Sequence, residues 1–214
     1  AAADCTGHGV PGAMVSVVCS NALDRSVKEF GLVSPAKILD KVTDLVIETF
    51  EQSEDEVKDG MDIAICSYET VGDYIEVQYA GANNPLWVVR KLPTMEVNGE
   101  HIEPMMSNDE GTLHLFEVKA SKQPVGKYAE RKPFTNNVIK LLEDDCVYTF
   151  TDGFADQFGG EKGKKYKYLP FKRFVLSIQH LPMNQQELAL KNEFVTWQGT
   201  HEQIDDVCII GIKL

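Results

Sequence analysis

Residues 61–91 read MDIAICSYETVGDYIEVQYAGANNPLWVVRK, and three strand signals stand in that one stretch. MDIAICSYE, YIEVQYAG and PLWVVRK are short and rich in β-branched and aromatic residues, and Gly, Asn, Asp and Pro separate them. The pattern predicts antiparallel neighbours. Upstream the period is helical. Pro11 suits a first helical position, where its missing N–H costs nothing, and MVSVVCSNAL carries a largely apolar helix to about Phe30 that is expected to be deeply buried. Ser34-Pro35 repeats the start signal with a capping hydroxyl. Ile38, Leu39, Val42, Leu45, Val46 and Phe50 then recur at helical spacing, so a second helix is expected over about 35–52.

Downstream of residue 91, Leu92 to Gly111 holds two prolines and two glycines with little periodicity and reads as a hairpin tip or loop. Strand signals resume at Thr112–Val118 and Cys146–Thr151. Gly159 to Leu169 is a loop crowded with Lys and Gly, Pro170 can open a helix, a further helix runs from about Asn184 to Gly199, and Val207 to Leu214 is a last strand. Helices at about 11–30 and 35–52, strands mainly within 61–151, helices within about 170–199 and a final strand in 206–214 make one α+β domain over residues 1–214, with antiparallel sheet and segregated helices. No repeat, low-complexity tract or linker interrupts it.

The 214 residues are 43% hydrophobic, enough for a packed core. Against 21 basic residues stand 33 acidic ones, a net charge of −12 that repels phosphate backbones and anionic headgroups, so nucleic acid is a poor partner. No apolar run approaches the roughly 20 residues of a spanning helix, and residues 1–15 lack a basic start followed by an apolar stretch. The expectation is a cytoplasmic segment with no membrane insertion. Cys5, Cys19, Cys66, Cys146 and Cys208 show no CxxC spacing and stand mostly in apolar runs, which predicts buried, reduced thiols.

Chemistry gathers in three acidic clusters, each where an apolar strand meets a loop: Asp4 in AADCTGHG, Asp152 in YTFTDGFAD, and Asp205-Asp206 in EQIDDVCII. Carboxylates at strand ends are held by a rigid ladder yet reach solvent, and several together can bind a hard divalent cation, Mg²⁺ or Mn²⁺. Zinc would want HxxxH or CxxC spacing, which is absent. Singly, each cluster has a plain structural reading: Asp152-Gly153 as a turn, Asp205-Asp206 as a solvated strand start, Asp4 as a distant helix cap. Their coincidence at three strand ends favours the cation. Ser16 and Ser20 lie in the first helix with no GxSxG around them. Gly7-His8-Gly9 is no nucleotide loop, and His8 reads equally as a loop residue held by backbone contacts or as a general acid.

DCTGHGVPGAMVS, DGMDIAICSY, YAGANNPLWVVR, KQPVG, YTFTDGFADQFGG and QIDDVCIIGIKL, in this order, resemble the SpoIIE/RsbU-type branch of the metal-dependent serine/threonine protein phosphatases, the type 2C or PPM superfamily. The resemblance covers nearly the whole chain. It implies an α-β-β-α sandwich of two antiparallel sheets with two Mn²⁺ or Mg²⁺ ions at one end. Asp4 matches the bridging aspartate and the Cys5 carbonyl the next ligand. Asp152 matches the aspartate of the DG motif, with Gly153 the small residue beside the metals. Asp205 matches the closing ligand, and Asp206 stands where relatives often have Asn.

The family's further aspartate, in a Gly-Asp-aromatic motif about one hairpin upstream, falls before Ala1, so the sequence is expected to lack its first strands and to hold one ion weakly, with weak or no activity alone. The implied reaction is hydrolysis of phosphoserine or phosphothreonine by an activated water, in the output domain of a bacterial signalling protein. The implied partners are an upstream sensor or regulatory domain, a phosphoprotein such as an anti-anti-sigma-factor-like protein, and a second copy in a homodimer. A catalytically silent binding or signal-transmission domain is the alternative reading. Lys162, Lys164, Lys165, Lys167, Lys172 and Arg173 concentrate positive charge just after the Asp152 motif; they read as a solvated loop or as a flap that docks an acidic phosphoprotein.

Overall fold

The computed structural model describes residues 1–7, 9–51, 60–72 and 74–214. In chain order the elements are β1 (Ala2–Cys5), α1 (Gly9–Lys28), α2 (Pro35–Glu51), β2 (Gly60–Val71), β3 (Tyr74–Ala82), β4 (Leu86–Arg90), β5 (Met95–Val97), β6 (Glu100–Ile102), β7 (Met106–Ser107), β8 (His114–Val118), β9 (Val125–Gly126), β10 (Asn137–Leu141), β11 (Cys146–Phe150), α3 (Gly153–Asp156), β12 (Phe158–Gly159), β13 (Lys164–Lys165), α4 (Tyr168–Ser177), α5 (Met183–Gln198) and β14 (Ile209–Lys213). One sheet has the order β1-β2-β3-β10-β5-β6, with β9 beside β2; the second has the order β14-β11-β4-β8-β7. The named strand pairs are all antiparallel, as the short spacers of residues 61–91 predict.

Period-two alternation sorts the side chains into three cores. On β2, Ile63 packs against α1 and α2 while Ala64 faces the other sheet. On β11, Tyr148 and Phe150 pack under α4 and α5 while Val147 faces the other sheet, and on β4 Trp87 and Val89 alternate in the same way with Leu86 and Val88. The layers are therefore helices, sheet, sheet, helices. Leu39, Val42 and Val46 of α2 are wholly buried in the first core, each burial stabilising by about 1.5–3 kcal/mol.

Three expectations need correction. α1 is not deeply buried: Gly12, Val15, Cys19, Ala22 and Ser26 form one inward stripe, whereas Val10, Met14 and Val17 are 76%, 66% and 69% exposed. The stripe is narrow because the first sheet and α2 cover only one side of the helix. The oxygen that caps α2 comes from Asn136, whose Oδ1 accepts both the Ser34 hydroxyl (3.2 Å) and the Ala36 N–H (3.4 Å). The cysteines are free, but Cys5, Cys66 and Cys208 are only partly buried. Structure also appears where loops were expected: β5 and β6 pair in a hairpin that joins the first sheet through β10, and β12 and β13 pair within the Lys/Gly stretch. α5 ends at Gly199, which takes φ 56 as predicted for a helix stop. The expected last residue of the second helix, 52, lies outside the described residues.

Candidate metal centre

Asp4 lies on β1, paired in register with Asp62 of β2, and the ladder continues past it through the Thr6 N–H to the Gly60 carbonyl (3.0 Å). Asp152 directly follows Thr151 at the end of β11 and occupies the N-cap of α3. Asp205 sits in the loop before β14. One carboxylate oxygen from each of the three lies within 4.8 Å of the others, and all three residues are half-buried. Positions separated by 148 and 53 residues are thus brought to one point by β1, the end of β11 and the loop before β14, which begins at Ile209, later than the sequence suggests.

Thr151 holds the two halves of this arrangement together. Its hydroxyl donates to the Asp206 carbonyl (3.0 Å) and accepts the Cys208 N–H (2.9 Å), and its own N–H reaches the Cys208 carbonyl (3.0 Å). Gly153 fits under the same loop: a Cβ there would stand 2.4 Å from the Asp206 carbonyl oxygen, a distance no side chain tolerates. The Asp206 N–H donates to Asp205 Oδ1 (2.9 Å), fixing the orientation of that carboxylate. Neither Thr151 nor Asp62, whose Oδ1 accepts the Asn83 side-chain N–H (2.8 Å), was singled out in the sequence.

With no counter-charge, three carboxylates this close cannot all ionise freely. Burial, then the charges of Asp205, Asp152 and Asp206, and a hydrogen bond shared with Asp152 push Asp4 up to about 7. Burial, then Asp205, Asp156 and Asp62, also raises Asp152. The donor set fits a hard divalent cation, which takes carboxylate oxygens and supplies the positive charge this cluster lacks. Cys5 is within the same structure: the hydrogen bond from the Cys19 thiol, aided by the Ser16 hydroxyl, draws its thiol down to about 6 against the effect of burial.

A cavity of about 810 Å³ opens beside the acids, lined by Asp4, Cys5, Gly12, Ser16, Cys19 and Asp205 among others. A slightly larger one, about 880 Å³, lies between α5 and β14 and is lined by Phe154, Met183, Leu190 and Phe194, but none of the three acids reaches it. Volume does not select the site here; the carboxylates do. His8 lies outside the described residues.

The basic stretch is smaller than its sequence suggests. Lys172 turns inward to pair with Glu117 (2.7 Å) beside the Trp87 ring, and Lys165 pairs with Asp156 (2.7 Å). Lys162, Lys164, Lys167 and Arg173 stay exposed. The β12–β13 hairpin carries Lys162 and Lys164, Lys167 caps α4 and Arg173 lies within it; the segment is anchored by the Gly160 N–H to the Trp197 carbonyl (2.8 Å) and the Lys167 N–H to the Ala155 carbonyl (2.7 Å), the latter only three residues beyond Asp152.

No protein-family model matches the chain, and no curated protein matches it by sequence. Solved structures do match. The SiaA-PP2C domain of Pseudomonas aeruginosa superposes with a TM-score of 0.77 at 24% identity, over 99% of this chain and 73% of that one. The chain has the PP2C phosphatase fold. The PP2C phosphatase domain and regulatory fragment of the cell fate determinant SpoIIE from Bacillus subtilis matches with a TM-score of 0.65 at 16% identity, over 99% of this chain and 52% of that one. The RsbU and RsbW domains of a Mycobacterium tuberculosis protein match with a TM-score of 0.61 at 18% identity, over 98% and 50%. The chain thus spans about half the length of these last two. Among the described residues no helix is long and apolar enough to cross a membrane.

Proposed function

We propose that this PP2C fold is a metal-dependent protein serine/threonine phosphatase, the output domain of a bacterial signalling protein. The observation that carries the reading is the meeting of Asp4 of β1, Asp152 just after β11 and Asp205 of the loop before β14 within 4.8 Å. Asp4, the Cys5 carbonyl, Asp152 and Asp205 would supply the oxygen donors for two Mn²⁺ or Mg²⁺ ions. When bound, such cations would lower the pKa of a water for in-line attack and neutralise charge on the phosphoryl oxygens.

The chain's own residues set the geometry. Thr151 and Gly153 fix the Asp205 loop against β11, and the Asp206 N–H orients the Asp205 carboxylate. The substrate proposed is a phosphoserine or phosphothreonine protein, an anti-anti-sigma-factor-like protein being one candidate, with the exposed Lys164 and Lys167 as its docking residues. Lys165, paired with Asp156, contributes less. An upstream sensor or regulatory domain and a second copy are the further proposed partners.

The test is phosphate release from a phosphoserine peptide and from a small phosphate ester across a Mn²⁺ titration, with the chain in its native full-length protein. Saturable, Mn²⁺-dependent turnover that Asp152→Asn abolishes is the expected result. Mn²⁺ binding without turnover would instead identify a silent binding domain.

A further inference from the structure

Two cysteines meet beside the acids. Cys5 and Cys19 pack in the same apolar cluster between α1 and the first sheet, and both line the cavity that also exposes Asp4 and Asp205. Neither is in a disulfide. Cys5 ends β1 and is only partly buried, while Cys19 lies in the middle of α1, so the pair joins α1 to the strand that carries Asp4. Both residues line that cavity, Cys5 partly buried and Cys19 buried. Elsewhere, burial holds the Cys66 thiol up at about 12 and also raises Cys146, which leaves both poor nucleophiles.

We propose that Cys5 and Cys19 form a peroxide-sensitive dithiol whose reversible disulfide weakens metal binding at the adjacent site. The Cys5 sulfur attacks one oxygen of hydrogen peroxide; the O–O bond breaks, an S–O bond forms, and the departing hydroxide leaves as water with the thiol proton. The Cys19 sulfur then attacks the sulfenic sulfur, the S–S bond forms, and the second hydroxide leaves as water with the Cys19 proton. Two sulfurs give up two electrons and one peroxide is reduced to two waters. A thiol reductant reverses the step. Because Cys5 directly follows Asp4, tying its side chain to α1 turns the Asp4 backbone away from Asp152 and Asp205. Misorienting one ligand of such a site weakens metal affinity about tenfold or more.

The inference does not depend on phosphatase activity, since both readouts are independent of turnover. The unsubstituted protein is treated with stoichiometric hydrogen peroxide, digested without reduction and mapped by mass spectrometry, and Mn²⁺ affinity is measured by calorimetry before oxidation, after it, and after dithiothreitol. The expected result is a Cys5–Cys19 linked peptide, an intact mass lower by two hydrogens, and about tenfold weaker Mn²⁺ binding that the reductant restores. In Cys19→Ala, checked for native near-ultraviolet circular dichroism, the linked peptide disappears and Cys5 becomes reactive toward a sulfenic-acid trap. Oxidation of Cys208 with Cys5 and Cys19 left reduced would overturn the proposal. So would a Cys5–Cys19 link that leaves Mn²⁺ affinity unchanged.

Discussion

Asp4 carries the largest electrostatic cost at the residue scale. Its folded pKa, about 7, is above its ordinary value of 3.8, so the folded apo-protein binds this proton more tightly than the unfolded chain does. The resulting stability is present below about pH 3.8 and is lost as pH rises through about 7. Apo-protein should therefore unfold more easily at pH 8 than at pH 5 as far as this group decides it, and saturating Mn²⁺ should remove the difference. Calorimetric Mn²⁺ affinity should rise with pH up to about 7, with about one proton released per ion bound below that pH. Asp4→Asn removes the repulsion, so it should stabilise the apo-protein by about 1–2 kcal/mol, discounted because the site is partly open to solvent, while abolishing tight metal binding. An apo-protein destabilised by Asp4→Asn would contradict this picture. Thr151→Val has the opposite signature: two partly buried backbone groups lose their partner, and a loss of about 1–2 kcal/mol in chemical denaturation should accompany weaker Mn²⁺ binding. The three acids were legible in the sequence because each stands where an apolar run meets a loop, Asp4 and Asp152 after the run and Asp205 before it. Thr151 was not, because its role depends on a carbonyl and an amide 55 and 57 positions away.

Short elements do the positioning at the next scale. α3 is only four residues long and is pressed against the 205–206 loop at Gly153, where a Cβ has no room. Gly153→Ala must move that loop, so a stability loss of about 1–3 kcal/mol and a marked drop in Mn²⁺ affinity are expected in denaturation and calorimetry. Lys164 of β13 and Lys167 at the start of α4 lie beyond α3. Replacing both by Ala should raise KM for an acidic phosphopeptide several-fold while leaving turnover of a small phosphate ester unchanged; equal loss on both substrates would remove these lysines from substrate docking. Long strands such as β2 and β3 announce themselves by alternation. β9, β10 and the β5–β6 hairpin do not, because two to five residues carry too little pattern, and pairing with neighbours already in place decides their conformation. The Lys/Gly stretch hid β12 and β13 for the same reason. α1 misled in another way: its sequence is apolar nearly all round, yet only the stripe through Val15 and Cys19 has a partner.

Across the whole molecule, the −12 charge and the acidic cluster oppose an anionic substrate, and a pair of bound dications would reverse that locally. Three stacked cores hold β1, β11 and the segment before β14 at one end, so the site is built by the tertiary fold and by no single motif. Cation binding to the folded state alone should raise thermal stability in proportion to the logarithm of free Mn²⁺, by about 2.7 kcal/mol at a hundredfold excess over Kd. The most direct test of the central claim, that Asp4, Asp152 and Asp205 are ligands of one divalent-cation centre, is an anomalous difference map from crystals grown with Mn²⁺. A manganese peak with carboxylate oxygens of all three residues about 2 Å away is the predicted result. Manganese elsewhere on the protein, with the three carboxylates left uncoordinated, would contradict it.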